Sequence, residues 1–205
     1  MRQELRERFA GYRAGKTLKG TQTQQNLLKA FAGESQARNR YVMFAEKAQE
    51  EGYGRIAAIF KETAHNEQVH AQTFFAFLEG GALEITAVYP AGFVGETYDN
   101  LLASAAGEHE EFADLYPHFA QIAQEEGFPK IAAQFKMIAK IEKEHEDRYR
   151  QLAKNIADNK VFTKDEETIW VCAECGHIHI GKQAPGVCPV CQHGKEVFQI
   201  KANNY

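Results

Sequence analysis

Glutamate and histidine occupy positions on two helical segments where a folded protein normally places apolar side chains. In FKMIAKIEKEHEDRY, offsets of 0, 3, 7, 10 and 14 define one α-helical stripe, which contains Phe135, Ile138, Glu142, His145 and Tyr149. A second stripe repeats this pattern with Phe60, Thr63, Glu67, His70 and Phe74. Burying an ionised carboxylate without a partner costs several kcal/mol or more, so the stripes predict bound cations.

The two Glu-x-x-His stripes belong to an internal duplication. Residues 44–70 align with residues 119–145 at an offset of 75, with 15 identities in 27 positions. At an offset of 74, Glu34 aligns with Glu108, so each half supplies one helix with an inward glutamate and one with Glu-x-x-His. Two histidines cannot neutralise four carboxylates, and the stripes contain no lysine or arginine. Two divalent ions can, and this ligand pattern is typical of ferritin-like dinuclear carboxylate proteins.

Four cysteines lie close together near the C-terminus, as two Cys-x-x-Cys pairs separated by twelve residues: Cys172, Cys175, Cys188 and Cys191. This spacing predicts a metal site rather than two disulfides. Iron and zinc both suit four thiolates, so the spacing alone leaves the metal open. A segment of ~40 residues cannot be held together by apolar burial alone, so the metal would stabilise it.

Composition excludes several classes of function. The 205-residue chain has a formal net charge of −4 and no basic block interleaved with aromatic residues, so we expect no nucleic-acid or anionic-membrane partner. No apolar run approaches the ~18 residues that span a bilayer. The start MRQELRERFAGYRAG has no apolar segment after its charges, so the cytoplasm is the expected location.

Helix start and stop signals predict four long helices that position the stripes, with approximate limits of 21–51, 55–79, 97–126 and 129–159. Thr21 or Thr23 is expected as the first N-cap, and Thr97 as the third. Pro117 predicts a kink, and Pro129 suits a first helical position. The turn-rich connection between the second and third helices is long enough for a crossover in a bundle.

Several other side chains near the stripes have two readings. Glu111 follows Glu108 by three residues and is equally well explained as a carboxylate at the rim. Tyr41 and Tyr116 are spaced to hydrogen-bond the ligand carboxylates, although tyrosines are also common in helical cores. The remaining histidines point away from the stripes and are predicted at the surface: His65, His109, His118, His177, His179 and His193.

Over essentially its whole length the chain resembles the rubrerythrin family. LKGTQTQQNLLKAFAGESQARNRY is similar to the family's first helix, NEQVH and EKEH to its two Glu-x-x-His helices, and AGEHEEF to its third helix. WVCAECGHIHIGKQAPGVCPVCQH resembles its short-loop rubredoxin-like domain, which favours iron over zinc at the cysteines. One departure is a charged segment of about 17 residues before LKGTQT, which bears on assembly and not on chemistry.

The resemblance implies a mainly α fold: a ferritin-like four-helix bundle with a small C-terminal rubredoxin-like β/turn metal domain. The expected domain limits are an N-terminal extension at 1–20, the di-iron bundle at 21–158 and the four-cysteine iron domain at 165–205. It also implies the iron ligands, which are Glu34, Glu67, Glu108, Glu111, Glu142 and His145. Glu67 and Glu142 would bridge the two irons, and His70 would alternate with Glu111 as the oxidation state changes. Tyr41 and Tyr116 match the tyrosines that support these carboxylates.

The implied activity is reduction of hydrogen peroxide to water. A di-iron centre changes by two electrons, as peroxide reduction requires, and a four-cysteine iron returns electrons one at a time. The chain has no GxGxxG fingerprint, so NAD(P)H would act through a separate donor, either rubredoxin or an NAD(P)H-dependent reductase. The family implies a homodimer or larger assembly in which one subunit's rubredoxin-like iron serves its neighbour's di-iron site.

Two alternatives belong to other functional classes. A ferroxidase or iron-storage protein would share the bundle site but has no obvious use for the cysteine domain. A zinc-stabilised scaffold would leave the bundle site without a role, which the complete set of glutamates and histidines argues against.

Overall fold

In the computed structural model, the larger part of the chain forms four helical rods. The rods contain five α-helices, because the third rod consists of two. The structure describes residues 7, 9–13 and 15–203, so the predicted N-terminal extension, 1–20, lies partly outside the described residues. After a short 3₁₀ turn at Ala10–Arg13, the helices are α1 Gln22–Glu50, α2 Gly54–Phe77, α3 Thr97–Glu110, α4 Tyr116–Glu125 and α5 Pro129–Ala157. Among the described residues, no helix is long and apolar enough to cross a membrane.

Capping residues explain where the first and third rods begin. Thr21 is the N-cap of α1, and its side chain accepts a hydrogen bond from the Gln24 N–H at 3.1 Å. The prediction that Thr97 caps the third rod is wrong, because Glu96 is the N-cap and Thr97 is the first helical residue. The Thr97 N–H donates instead to the Glu51 carboxylate at 3.0 Å, so a side chain from another element satisfies this helix end.

The third rod contains a π-helical turn, Glu111–Leu115, where the sequence predicts a continuous helix kinked at Pro117. The Tyr116 N–H bonds to the Glu111 carbonyl, five residues back. Pro117 follows in the first turn of α4. Proline lacks an N–H group and its ring clashes with the carbonyl four residues before it, so the irregularity lies one turn ahead of the proline.

The second and third rods run in the same direction, opposite to the first and fourth, as contacts between their ends show. Thr23 at the start of α1 bonds to Glu126 at the end of α4, and Thr97 at the start of α3 bonds to Glu51 in the α1–α2 turn. We call the Thr23–Glu126 end distal and the Thr97–Glu51 end proximal. Residues 78–96, which have no regular secondary structure, therefore run the length of the bundle as the predicted crossover.

A three-stranded antiparallel sheet in the order β2-β1-β3 forms the C-terminal domain, with strands β1 Thr163–Cys172, β2 Ile178–Gln183 and β3 Phe198–Ile200. Its core consists of Trp170, Cys172, Cys188 and Phe198. The domain packs against the proximal end, where a Cβ on Gly54 would lie 2.5 Å from the Glu196 carbonyl oxygen. The predicted fold, a four-helix bundle followed by a small β/turn metal domain, is confirmed.

Candidate metal centres

Six of the predicted ligand side chains meet in the middle of the bundle, between two apolar clusters. Each is less than a tenth exposed. Their metal-binding atoms form two groups in which every pair lies within 4.8 Å: Glu34, Glu67, His70 and Glu142, and Glu67, Glu108, Glu142 and His145. Glu67 and Glu142 belong to both groups, so their carboxylates are placed to bridge two ions.

Each bridging carboxylate turns one oxygen toward each histidine. His70 Nδ1 lies 3.0 Å from Glu67 Oε2 and 3.1 Å from Glu142 Oε1. His145 Nδ1 lies 2.9 Å from Glu142 Oε2 and 3.2 Å from Glu67 Oε1. Despite these short distances, His145 Nδ1 and both Glu142 oxygens are buried without a hydrogen bond to any described residue. Donor atoms that converge without hydrogen-bonding geometry are the arrangement that a metal ion requires.

The charge balance of the protein alone also calls for cations. Burial and repulsion from Glu142 raise the pKa of Glu34 well above its usual value. Burial opposes ionisation of Glu67, but the nearby His145 and His70 outweigh it and lower its pKa to about 2. Burial likewise opposes a charged His145, yet Glu142 and Glu67 raise its pKa to about 9. In the protein alone, protonated histidines supply the positive charge that balances the buried carboxylates. Two divalent ions would supply more positive charge at the same place, so the donor set fits two metals.

Glu111 lies outside both groups, at one side of the cluster. Its Oε1 is 3.8 Å from the position that a Cβ on Gly33 would take, and a ring carbon of Tyr89 is 3.6 Å from the same position. Burial and the negative charge of Glu34 raise the pKa of Glu111, while the charge of His70 opposes the rise. The carboxylate is therefore close to the group that contains Glu34 and His70. Glu111 is half-buried there, and its role as a metal ligand rather than a carboxylate at the rim stays a prediction.

Two buried tyrosines hydrogen-bond Glu34 and Glu108, which we call the terminal glutamates because each belongs to only one of the two groups. Each tyrosine bonds across the bundle rather than within its own half. The Tyr41 hydroxyl donates to Glu108 Oε1 at 2.5 Å, and the Tyr116 hydroxyl donates to Glu34. Burial and the adjacent carboxylates raise the pKa of both phenols well above the usual value. Both therefore remain hydrogen-bond donors at neutral pH, which orients the carboxylates.

The four cysteine sulfurs are arranged for one metal ion. Cys172 Sγ lies 3.7 Å from Cys191 Sγ, and Cys175 Sγ lies 3.6 Å from Cys188 Sγ. A tetrahedron with metal–sulfur bonds of about 2.3 Å has edges of about 3.8 Å. Burial opposes ionisation of Cys188, but the N–H groups of Cys191 and Val190 lower its pKa to about 6. All four cysteines are free thiols, so the domain fits a four-thiolate metal site.

Two histidines have contacts that the sequence does not reveal. His193 is exposed as predicted, but its Nδ1 lies 3.3 Å from Cys191 Sγ, which places a ring nitrogen against a metal-binding sulfur. Its position two residues after the last cysteine is the signal that could have indicated this. His109 Nδ1 lies 3.1 Å from Glu146 Oε2, outside the cluster. Of the others, His65 and His118 are exposed, and His177 and His179 are half-buried.

Comparisons with known proteins agree with both sites. The chain matches the family model described as Rubrerythrin over residues 25–153 and the model described as Rubrerythrin, rubredoxin-like domain over residues 170–199. It is 54% identical to a rubrerythrin of Porphyromonas gingivalis, over 93% of this chain and 95% of that protein. It is 50% identical to a rubrerythrin of Nitratidesulfovibrio vulgaris, over 93% of this chain and 100% of that protein.

Solved structures show the same architecture. The fully reduced, all-ferrous state of nigerythrin has a TM-score of 0.60 and 34% identity, covering 91% of this chain and 89% of that one. A Desulfovibrio desulfuricans bacterioferritin, at 22% identity and a TM-score of 0.57, shares the fold. The chain belongs to the rubrerythrin family of oxidoreductases, whose di-iron and rubredoxin-like iron sites correspond to its carboxylate–histidine cluster and its four cysteines.

Proposed function

We propose that this protein reduces hydrogen peroxide to water and is reduced again through its cysteine domain. The observation that carries the proposal is the pair of overlapping ligand groups, which share Glu67 and Glu142. Iron bound there would supply two electrons, one from each ion, and two electrons are what cleavage of the peroxide O–O bond requires. The four-cysteine site would carry single electrons to that centre.

The ligand roles follow from position within the two groups. Glu67 and Glu142 would bridge the two ions, Glu34 and Glu108 would each bind one ion, and His145 would bind the ion beside Glu108. His70 and Glu111 would serve the other ion alternately. The location of Glu111 near Glu34 supports this exchange, because either donor could then complete the same coordination shell.

Tyr41 and Tyr116 keep the terminal carboxylates in position while the charge of the centre changes. Each hydroxyl donates to a carboxylate from the other half of the bundle, so a shift of one ligand is resisted by the opposite helix. Hydrogen bonds of this kind also fix which carboxylate oxygen remains free for metal. The tyrosines act through the carboxylates they hold.

Electrons would come from an NAD(P)H-linked donor, either rubredoxin or an NAD(P)H-dependent reductase, and would enter at the cysteine domain. Within one chain, Asn155 lines the same crevice as Phe198 of that domain and lies ten residues after His145 on α5, or about 15 Å along the helix. This separation supports a homodimer or larger assembly in which the cysteine domain of one subunit serves its neighbour.

Location and domain limits complete the proposal. A site of four reduced thiols suits a reducing compartment, which supports the cytoplasm as the place of action. The domain limits predicted from the sequence, 1–20, 21–158 and 165–205, stay a prediction.

Anaerobic stopped-flow mixing of the reduced, iron-quantified protein with one equivalent of hydrogen peroxide tests the activity. We expect the near-ultraviolet absorbance of the di-iron centre to report oxidation within the mixing time, faster than with dioxygen. In the Cys172→Ser variant this single turnover should persist, whereas multiple turnover with an external donor should stop. Peroxide oxidation no faster than dioxygen oxidation, with iron loading well above three per chain, would instead support a ferroxidase.

A further inference from the structure

A long pocket of about 640 Å³ lies between α1 and α4, under the crossover segment 78–96. Its α1 wall includes Asn26, Ala30 and Gly33, which are spaced by four and three residues and so share one face of the helix. On the opposite side, Phe119 and Ile122 of α4 line the pocket. The wall is therefore built from regular helices and does not depend on a single loop.

The inner end of this pocket reaches the metal cluster. Glu111 and Tyr116 both line it, and Tyr116 donates its hydroxyl hydrogen bond to the ligand Glu34. The outer end reaches Gln22, eleven residues before Gly33, which corresponds to about 16 Å along α1. The pocket is thus a passage from the distal end of the bundle to the cluster.

Part of the passage wall is apolar. Ala30, Leu115, Phe119 and Ile122 form its middle, and the Tyr89 ring, held by a 2.7 Å hydrogen bond from its hydroxyl to the Lys29 carbonyl, forms its roof. Polar side chains also line the pocket, among them Lys29, Glu110 and His118, and one of the polar groups is a buried amide.

Asn26 is 1% exposed, and its Oδ1 accepts a hydrogen bond from Gln22 at 2.9 Å. Its Nδ2 has no acceptor among the described residues. A buried donor without an acceptor is unfavourable, so an oxygen atom from a bound ligand would stabilise this wall.

The volume of the pocket and its apolar wall exceed what hydrogen peroxide needs, because that molecule has two oxygen atoms and no apolar surface. We propose that the passage binds the organic group of alkyl hydroperoxides, with the hydroperoxide end at Glu111 and Tyr116 and the alkyl or aryl end against Phe119 and Ile122. This inference rests on the proposed peroxide reduction and extends its substrates to organic hydroperoxides. Apolar walls with a few convergent polar groups are the usual composition of such a site.

The reaction balances with the components of the proposed function. An alkyl hydroperoxide, ROOH, takes up two electrons and two protons, its O–O bond breaks, and one molecule of alcohol, ROH, and one of water leave. The electrons come from the same external donor that supports reduction of hydrogen peroxide. No further oxidant or cofactor is required.

Filling the passage tests the inference. Ile122→Trp places an indole in the apolar middle, and Met137→Trp places one on α5, where the residue is 51% exposed and does not line the pocket. Equilibrium dialysis of the iron-loaded, oxidised protein would measure binding of cumyl alcohol, the expected product from cumene hydroperoxide. We expect the wild type and Met137→Trp to bind it, and Ile122→Trp to lose at least tenfold in affinity.

Steady-state kinetics supply the second readout. The ratio of kcat/KM for cumene hydroperoxide to that for hydrogen peroxide should fall about tenfold in Ile122→Trp and stay constant in Met137→Trp. An unchanged ratio in both variants, or no binding of cumyl alcohol by the wild type because a second copy of the chain covers the pocket, would overturn the inference. Absence of hydrogen peroxide turnover in the wild type would refute the proposed function itself, so the two failures are distinguishable.

Discussion

The two halves of the bundle, Gln22–Phe77 and Thr97–Ala157, are nearly equivalent in chemistry and differ at one turn. Each supplies two glutamates and a histidine to the cluster and a tyrosine that bonds across to the other half. Each half also caps a helix of the other half. The Glu126 carboxylate accepts a hydrogen bond from the Thr23 N–H at the start of α1, and the Glu51 carboxylate accepts one from the Thr97 N–H at the start of α3. The duplication therefore preserved interactions between the halves as well as within them.

The difference is one inserted residue. Glu34 aligns with Glu108 at an offset of 74, but Tyr41 aligns with Tyr116 at an offset of 75, and the π-turn lies between those positions. At the offset of 74, Ala37 takes the place of Glu111. A single insertion, absorbed as a wide turn, thus coincides with an extra carboxylate beside only one of the two ligand groups. Symmetry of sequence does not ensure symmetry of a metal centre.

The largest effect should come from removing a glutamate that belongs to both ligand groups, because both groups then lose a donor. Glu67→Ala and Glu142→Ala should each lower peroxide turnover by more than about 100-fold, because losing a ligand exceeds the 10–100-fold loss typical of an outer partner. Iron analysis and turnover assays measure this, with the visible spectrum of the cysteine site as an internal control. Similar losses in both variants would support equivalent bridging roles, and retained turnover in either would refute its bridging role.

A smaller effect is expected from the tyrosines. Tyr41→Phe and Tyr116→Phe each remove one hydrogen bond to a terminal carboxylate without changing the shape of the core. Iron affinity of the bundle site should fall by about 10-fold, at the lower end of the range for outer partners of metal ligands. Competition with a chelator measures it. Affinities equal to the wild type would show that packing alone positions the carboxylates.

The asymmetry itself is tested by a pair of variants. His70→Ala should weaken the reduced cluster more than the oxidised one, and Glu111→Ala should do the reverse, each by about tenfold between the two states. Redox titration of the di-iron centre would show this as potential shifts of opposite sign. Equal losses in both states would contradict ligand exchange.

The smallest effect concerns the exchanged helix caps. Glu51→Gln and Glu126→Gln should each cost about 1 kcal/mol of unfolding free energy, the usual value of a helix cap. Because the caps lie at opposite ends of the bundle, their effects should add in the double variant. Urea unfolding measures both.

The same caps predict a pH dependence. Burial opposes ionisation of Glu126, but hydrogen bonds from Thr23 and Gln22 outweigh it and lower its pKa below the usual 4.5. A lowered pKa in the folded state stabilises the protein above the unfolded pKa, and this contribution is lost as the pH falls through the folded value. The difference between wild type and Glu126→Gln should therefore be full at pH 7 and shrink below about pH 4.5. A difference that grows toward acid would contradict the capping role.

Local signals in the sequence were sufficient for much of the fold. Thr21 and Pro129 mark helix starts correctly, because capping and proline geometry depend on neighbouring residues alone. The Thr97 cap was wrong because a carboxylate from the distant Glu51 satisfies that helix end. The π-turn was missed because a helical pattern predicts no i+5 hydrogen bond, although the change of offset from 74 to 75 was a visible signal.

By itself, the sequence determined the ligand types, their helical spacing and the pairing of the two halves, since 3.6-residue periodicity and the cysteine spacing are local properties. Only the tertiary structure decided which tyrosine holds which carboxylate, where Glu111 lies, and that a passage leads from Gln22 to the cluster. These features depend on how helices from distant parts of the chain face one another. That arrangement is set by the packing of whole surfaces, which no short stretch of residues encodes.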